Sequence, residues 1–478
     1  MKRPAKKTKI VATLGPASWS SSTVGRLMAR GADIFRINFS HGSAQEHDRT
    51  VRAVHRARGD ADLSCGILAD LQGPKIRTGR TENDRSVTLR KGSRVRLVRK
   101  APVCTEEVIS IDYPGLARDI EPGHHVMLND GAVRLRVLST DQGRHEVGCV
   151  VESGGDYSSR KGVNLPDTSL KLPSLTKKDR EDLAFILARD IQYVALSFVR
   201  SAKDVRALRR AIRQSGKSIR IVAKIEKPEA AERIDEILRV CDGIMVARGD
   251  LGVETSPERI PLLQKDLITR ANRRGAIVIV ATQMLDSMVG RPLPSRAEST
   301  DVANAILDGA DALMLSGETA VGAYPIRAVE MMRRIARTTE QSRYYPPAPV
   351  DLTLRRNYPP HSVCEAAATA SRDLGNTPVV VFTLSGETAL YLAKVRNQAP
   401  IYAFSPDPNV VSALCLAWNT TAFQLPLAAD IVSLQRKAEA MLVDKRLVRR
   451  GDVIVIISGT TPVHGATNSL RVKRVGET

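Results

Sequence analysis

Between Ile221 and Glu254, one lysine and two carboxylates stand at the ends of two consecutive apolar runs. Lys224 and Glu226 close the run Ile219 to Ile225, and Asp250 follows the run Gly243 to Ala247, with a helix-like stretch from Pro228 to Val240 between them. Strand, helix, strand reads as a βαβ unit. In parallel α/β architecture the groups that do chemistry collect at the carboxyl ends of the strands, where all three residues fall. Two hard carboxylates beside an ammonium suit a divalent cation held together with an anionic substrate. The alternative is a structural ion pair, although a buried lysine with two acids is costly unless every charge is paired.

The elements that must position these residues recur along the chain. Short apolar runs ending in polar or Gly-rich turns span Lys9 to Leu14, Ile34 to Asn38, Cys65 to Asp70, Tyr193 to Phe198, Ile219 to Ile225, Gly243 to Ala247, Ala276 to Ala281 and Ala312 to Leu315. Helical periodicity fills most gaps, as at Ser22 to Arg30, Lys177 to Arg189, Ala202 to Gln214, Pro257 to Arg274 and Ser299 to Gly309. That alternation predicts a (β/α)8 TIM barrel. Between Gln72 and about Leu170 the pattern changes to short alternating runs such as SVTLRKGSRVRLV, which predicts a small β-barrel domain inserted after the third strand, over the active-site face, where it acts as a lid. The proline-rich segment Tyr344 to Pro360, with YYPPAPV and NYPP, leads to a C-terminal α/β domain with strands near Pro378 to Leu384, Ile401 to Ser405 and Val453 to Ser458. The division expected is residues 1–72 and 171–345 for the barrel, 73–170 for the lid and 346–478 for the last domain.

Composition narrows the classes. At 478 residues several domains are expected. No apolar run is long enough for a membrane helix and the basic N-terminus lacks an apolar signal core, so a cytoplasmic protein with no membrane partner is expected. Six scattered cysteines contain no CxxC pair, which suggests neither a zinc site nor a disulfide framework. The net charge of +20 would ordinarily raise nucleic acid as a partner, but the basic residues are spread along helical faces and aromatics are only 4%. No specific nucleic-acid partner is therefore expected, and the charge favours encounter with small anions.

Further motifs sit at the strand ends. Arg36-Ile37-Asn38-Phe39-Ser40-His41-Gly42 closes the second strand, Asp70-Leu71-Gln72-Gly73-Pro74-Lys75-Ile76-Arg77 the third, and Ala281-Thr282-Gln283-Met284-Leu285 the seventh. With TKIVATLGPAS near the start and PSRAESTDVANAILDGADALMLSGETAVGAYP around the eighth strand, the chain resembles the pyruvate kinase family over nearly its whole length. The resemblance implies transfer of a phosphoryl group from phosphoenolpyruvate to ADP, giving pyruvate and ATP. It implies Arg36 on the phosphoryl oxygens, Lys224 as the point charge that stabilises the transition state, and Glu226 and Asp250 as ligands of Mg2+, with Mn2+ also accommodated. Positioning and charge neutralisation are what phosphoryl transfer asks of a protein. Gly249, Asp250 and Thr282 are implied around the substrate carboxylate, Thr282 also relaying a proton through ordered water. Nucleotide contacts are carried onto Asn38, Phe39, Ser40, His41, Arg77 and Lys161, with His41 equally readable as a capping or structural residue.

One loop departs from the family pattern. Many relatives need potassium and carry glutamate and threonine where this chain has Lys75 and Leu71. A lysine ammonium there supplies the single positive charge of the ion, so potassium is expected not to be required, with Asn38, Ser40, Asp70 and the Leu71 carbonyl, the family's cation-ligand positions, now solvating Lys75. Thr383-Leu384-Ser385-Gly386-Glu387-Thr388 and Ser458-Gly459-Thr460-Thr461 resemble loops that bind phosphorylated allosteric effectors, or are plain turns; Glu387 would weaken a bisphosphate. A homotetramer is implied by the resemblance alone. The competing reading, an inactive relative that binds nucleic acid, is opposed by the presence together of Arg36, Lys224, Glu226, Asp250 and Thr282.

Overall fold

The computed structural model describes residues 6–61, 63–129, 131–168, 172–345, 358–459 and 467–477. Eight parallel strands close into a barrel: Lys9–Thr13, Ile34–Asn38, Gly66–Asp70, Tyr193–Leu196, Arg220–Ile225, Gly243–Ala247, Ile277–Ala281 and Ala312–Leu315. Their residues are almost wholly buried because both faces of a parallel barrel strand are covered, by helices outside and by packed side chains within. The register sets the working level of the barrel: Asp70 pairs with Asn38 and with Ala195, and Ala223 with Leu196. Asn38, Asp70, Ser197 and Lys224 therefore emerge at one rim.

Three helical expectations need correction. The stretch Pro228 to Val240 is not one helix but two, Pro228–Glu232 and Ile234–Leu238, broken at Arg233, whose ψ of 20° leaves the helical region. Each piece still buries its apolar residues, Ala230 in the first and Ile234, Ile237 and Leu238 in the second. Pro257 to Arg274 likewise divides into a 3-10 turn, Pro257–Arg259, and a helix, Ile260–Arg273. Pro261 has no N–H to continue an earlier turn and is tolerated only where a helix begins. The helix expected from Ser299 starts at Arg296, because Ser295 and Glu298 form a capping box.

The inserted region packs a six-stranded sheet and a two-stranded ribbon around one core that runs from Ile76 to Leu165. Chain entry and exit are clamped together at its neck. Arg77 pairs with Gly162, Thr78 N–H donates to the Lys161 carbonyl (2.9 Å), and Val163 N–H donates to the Ile76 carbonyl (3.0 Å).

The C-terminal sheet has five strands in the order Thr420–Gln424, Ile401–Ser405, Val379–Phe382, Val453–Gly459, Thr467–Arg474, the last antiparallel. The three central strands agree with expectation; the two outer ones, TTAFQ and TNSLRVKR, are too polar to stand out as apolar runs, as edge strands commonly are. This domain docks against the amino ends of the barrel strands. Tyr193 Oη donates to the Ala413 carbonyl (2.7 Å), Lys9 Nζ to the Thr420 carbonyl (2.7 Å), and Lys394 and Arg396 reach Asp311. Of the expected segments, residues 346–357 of the proline-rich connection and Thr460 and Thr461 lie outside the described residues. Among the described residues no helix is long and apolar enough to cross a membrane, and all six cysteines are free thiols.

Candidate active site

At the carboxyl rim four charged side chains interlock. Arg36 Nε donates to Asp70 Oδ2 (2.7 Å), and Arg36 Nη1 donates to Thr13 Oγ1 (3.2 Å). Lys224 Nζ lies 2.8 Å from Glu226 Oε1, 3.3 Å from Asp70 Oδ1, and donates to Ser197 Oγ (2.8 Å). Asp70 and Glu226 are each 1% exposed, so these charges meet in a medium where Coulomb terms are strong. Burial disfavours the Lys224 ammonium, yet Asp70 and Glu226 outweigh it and raise its pKa. For Asp70 burial is again the largest effect, and Lys224 and Arg36 together overcome it, holding the carboxyl below its usual range.

Glu226 goes the other way. Burial raises its pKa, Lys224 opposes that, and the neighbouring Asp250 pushes it further up. Glu226 Oε2 is held by the Phe198 N–H (2.8 Å), a contact allowed by the positive φ of Phe198, 53°. Glu226 and Asp250 are thus near enough for the charge of one to act on the other, and their donor atoms are hard oxygens. That arrangement fits magnesium, which takes few protein ligands and completes its shell with substrate oxygens and water. Among the described residues no group of three or more His, Cys, Asp or Glu forms a metal cage.

Asp250 lies on the short helix Arg248–Glu254, whose first turn approaches Thr282. The Gly249 N–H donates to Thr282 Oγ1 (2.7 Å), and that hydroxyl donates to the Ala281 carbonyl (2.6 Å). Thr282 is β-branched with φ at 69°, a conformation that costs on the order of 1–3 kcal/mol and persists only where the surroundings impose it. Arg248 imposes it here, donating from Nη2 to the Thr282 carbonyl (2.9 Å) while Nη1 pairs with Asp301 (2.6 Å).

The nucleotide candidates separate into two groups. Arg77 and Lys161 lie on the two strands of the lid neck, Arg77 pairing with Gly162 and donating from Nη1 to the Arg160 carbonyl (3.1 Å). Asn38, Ser40 and His41 line the turn after the second strand, Asn38 Oδ1 accepting the Ser40 N–H (3.1 Å). His41 titrates below its ordinary range, first from burial and then from the charges of Arg77, Lys75 and Arg36. Phe39 is placed otherwise. Its ring is buried at 4.2 Å from that of His47, its N–H donates to Asp70 O (2.9 Å) and its carbonyl accepts Lys178 Nζ (2.7 Å), so it offers no side-chain surface to a ligand.

Lys75 follows the turn at Gly73, whose φ is 68°, and lines a cleft shared with Lys227, Asp250 and the lid residues Gly162 to Leu165. The expected solvation of its ammonium by Asn38, Ser40, Asp70 and Leu71 is not made among the described residues. Asp70 is taken by Arg36 and Lys224, the Leu71 carbonyl accepts Ser197 Oγ (2.7 Å), and Asn38 is spent on Ser40.

Several participants were not singled out from the sequence. Ser197 joins Lys224 to the Leu71 carbonyl; its place just past a strand end is the same signal that marked Lys224. Glu254 is buried, pairs with Lys227 (2.5 Å) and accepts Asn164 Nδ2 of the lid (2.8 Å), tying the lid to the helix that carries Asp250. No local pattern relates Asn164 to Glu254.

In the C-terminal domain, loop 383–388 borders a cavity of about 230 Å³ walled by Phe382, Phe404, Leu425 and Leu434, with Glu387 and Asp430 and no Lys or Arg among its described lining residues.

A closed parallel barrel whose strand ends gather two cations and three carboxylates beneath a β lid defines a TIM-barrel enzyme acting on an anionic substrate. The chain matches the family described as pyruvate kinase, barrel domain, over residues 5–329, and the pyruvate kinase alpha/beta domain over residues 361–473. It is 41% identical over 473 residues to a pyruvate kinase of Corynebacterium efficiens, covering 99% of this chain and 98% of that one. Similarity to a pyruvate kinase of Mycobacterium tuberculosis is 40% over 477 residues, 99% of each chain. A crystal structure of a pyruvate kinase from Cryptosporidium parvum superposes with a TM-score of 0.91 at 32% identity, covering 98% of this chain and 96% of the other. The chain belongs to the pyruvate kinase family and is a phosphotransferase.

Proposed function

We propose that this chain transfers the phosphoryl group of phosphoenolpyruvate to ADP, with magnesium and without a requirement for potassium. The observation that carries the reading is the Lys224 ammonium, kept charged by Asp70 and Glu226, with the Arg36 guanidinium on the same Asp70 and the charge of Asp250 acting on Glu226. Arg36 binds the phosphoryl oxygens, and Lys224 faces the charge that spreads over the group as it moves, where a preorganised cation is worth more than in water. Glu226 and Asp250 would hold the divalent cation, which when bound neutralises phosphoryl charge. Gly249 and Thr282 orient the substrate carboxylate. In the described arrangement the Thr282 proton points at the Ala281 carbonyl, so a proton relay through it requires that hydroxyl to turn. ADP enters beneath the lid neck, between Arg77 and Lys161 on one side and Asn38 to His41 on the other.

Lys75 lines the same cleft as Asp250, so its ammonium supplies a positive charge on that side of the rim, which supports potassium independence. Pyruvate formation by protein stripped of monovalent cations is expected to proceed at a similar rate with and without potassium, and Lys75→Glu is expected to make it potassium-dependent. A wild-type rate that collapses without potassium and returns with it discards the lysine substitution while keeping the enzyme. No turnover in either condition, from folded protein, discards the whole reading. We also propose a homotetramer in the cytoplasm, checked by light scattering. A phosphorylated effector at loop 383–388 would be a monophosphate, because the acid-lined cavity there suits a bisphosphate poorly.

A further inference from the structure

The helix Ala202–Gln214 follows the fourth barrel strand and buries Val205, Leu208 and Ile212. Its outer side carries Lys203, Arg206, Arg210 and Arg213, spaced three or four residues apart and hence on one face, and Lys217 continues the row just past the helix end. All five side chains are exposed, and none forms an ion pair or a side-chain hydrogen bond among the described residues. The other cation of the helix, Arg209, is engaged by Asp242 (2.7 Å). Its single acid, Asp204, is buried and accepts the Arg200 and Ser201 N–H groups (3.0 and 3.1 Å). Elsewhere on the barrel helices Arg189 has Asp48, Lys265 has Asp308, and Arg270 has Asp235 and Asp266. Like charges three and four apart on a helix repel, so the row weakens the helix that carries it. Here the counter-charge is missing from the chain itself.

A convex helix face cannot enclose a small anion, so the counter-charge must come on an extended partner. Helices that lie on membranes set large apolar side chains beside the basic ones, and protein interfaces are anchored by apolar or aromatic groups. Only Ala207 and Ala211 lie between these cations, and no exposed large apolar side chain belongs to this helix or to the helices Lys177–Leu187 and Ile234–Leu238 before and after it. Single-stranded nucleic acid is held by stacking on aromatic rings, and the helix has none. What remains is the backbone of a duplex, which carries one charge about every 1.7 Å along its axis. The row facing it runs about 15 Å from Lys203 to Arg213 at 1.5 Å per residue. We infer that the outer face of helix Ala202–Gln214, with Lys217, is a docking surface for duplex nucleic acid, held through its phosphates without reading sequence. Contacts of that kind leave intact the expectation of no specific nucleic-acid partner. None of these residues belongs to the catalytic rim, so binding does not depend on the phosphoryl-transfer reading.

Fluorescence anisotropy of a short labelled duplex, titrated with the full chain at rising salt, tests the inference. Affinity is expected to fall on the order of a hundredfold between about 50 and 200 mM salt, as about four or five phosphate contacts require. Arg206→Glu with Arg210→Glu is expected to weaken binding about tenfold or more and to flatten the slope of log affinity against log salt by about two. Arg334→Glu with Arg337→Glu reverses as much exposed charge on the barrel helix Pro325–Glu340 and is expected to weaken binding only about twofold. Arg213→Gln with Lys217→Gln reads the same row if the first pair fails to fold. Absence of duplex binding at about 50 mM salt overturns the inference. Equal weakening by the two charge-reversed pairs also overturns it, because net charge and not the row would then be responsible. So does binding of the separated single strand, of phosphatidylserine vesicles or of polyglutamate at least as tight as that of the duplex.

Discussion

The two ends of the barrel each bury a lysine in a cluster of charges, and the clusters differ in their balance. At the carboxyl rim Lys224 and Arg36 face Asp70 and Glu226, with Asp250 nearby. At the amino end Lys394 and Arg396 share the single carboxylate of Asp311, with Lys394 also donating to Asn272 Oδ1 (2.8 Å) and Arg396 lying 4.8 Å from the Trp418 ring centre. Lys394 is fully buried and Lys224 nearly so. The pKa of Lys224 is raised, whereas burial lowers that of Lys394 to about 8, Asp311 only partly opposing it and Arg396 adding to the fall. Burial alone thus does not decide a lysine's charge; the number of carboxylates it does not have to share does. The carboxyl end spends its surplus of acids on holding cations that a substrate can use, while the amino end joins two domains.

Removing Asp311 should do most damage. Asp311→Ala leaves two buried cations without a counterion and is expected to destabilise by about 3–5 kcal/mol, read as a lowered urea midpoint. A midpoint like that of the wild type would mean that the interface does not depend on this charge. At the other end, Lys224→Met is expected to lower kcat by about 10²–10³-fold in protein that remains folded, the usual loss on removing one preorganised transition-state contact. A drop of only a few-fold would strip Lys224 of that role.

The contrast sharpens with pH. Below pH 8 Lys394 is protonated in both folded and unfolded chains, so its burial penalty is carried in full. Between about 8 and its ordinary 10.5 the folded chain has released a proton that the unfolded chain still holds, and stability from this group rises with pH. The midpoint of the wild type should therefore climb relative to Lys394→Met across that window and level off above it. A falling difference would show that Asp311 outweighs burial. The smallest effect is expected at the lid: Asn164→Ala removes one hydrogen bond to Glu254 and should change KM for phosphoenolpyruvate about fivefold with little change in kcat.

The barrel was legible because its strands are short, continuous apolar runs separated by helical periodicity. Residues 34–38, 243–247 and 312–315 have the same bounds in the structure as in the pattern. Legibility failed where that signal is weak or interrupted, as in the polar edge strands Thr420–Gln424 and Thr467–Arg474 and at the break after Glu232. In the rim, Lys224, Glu226 and Asp250 were marked by standing at strand ends, and Arg36 and Thr282 by the family resemblance of the segments that hold them. Ser197 and the Phe198 N–H were not, since a hydroxyl and a backbone amide acquire meaning only from the groups set against them.

From the sequence alone come the chemistry available and its address: which cations and carboxylates the chain owns, and which end of which strand carries them. Strand periodicity is local, so a single chain reports it. Pairing is not local. Asn164 meets Glu254 ninety positions away, Lys394 meets Asp311 eighty-three away, and whether an ammonium keeps or sheds its proton depends on the carboxylates that packing brings within a few ångströms. Only the tertiary structure decided that Lys224 has two acids beside it, one of them shared with Arg36, and that Lys394 has a single acid shared with Arg396.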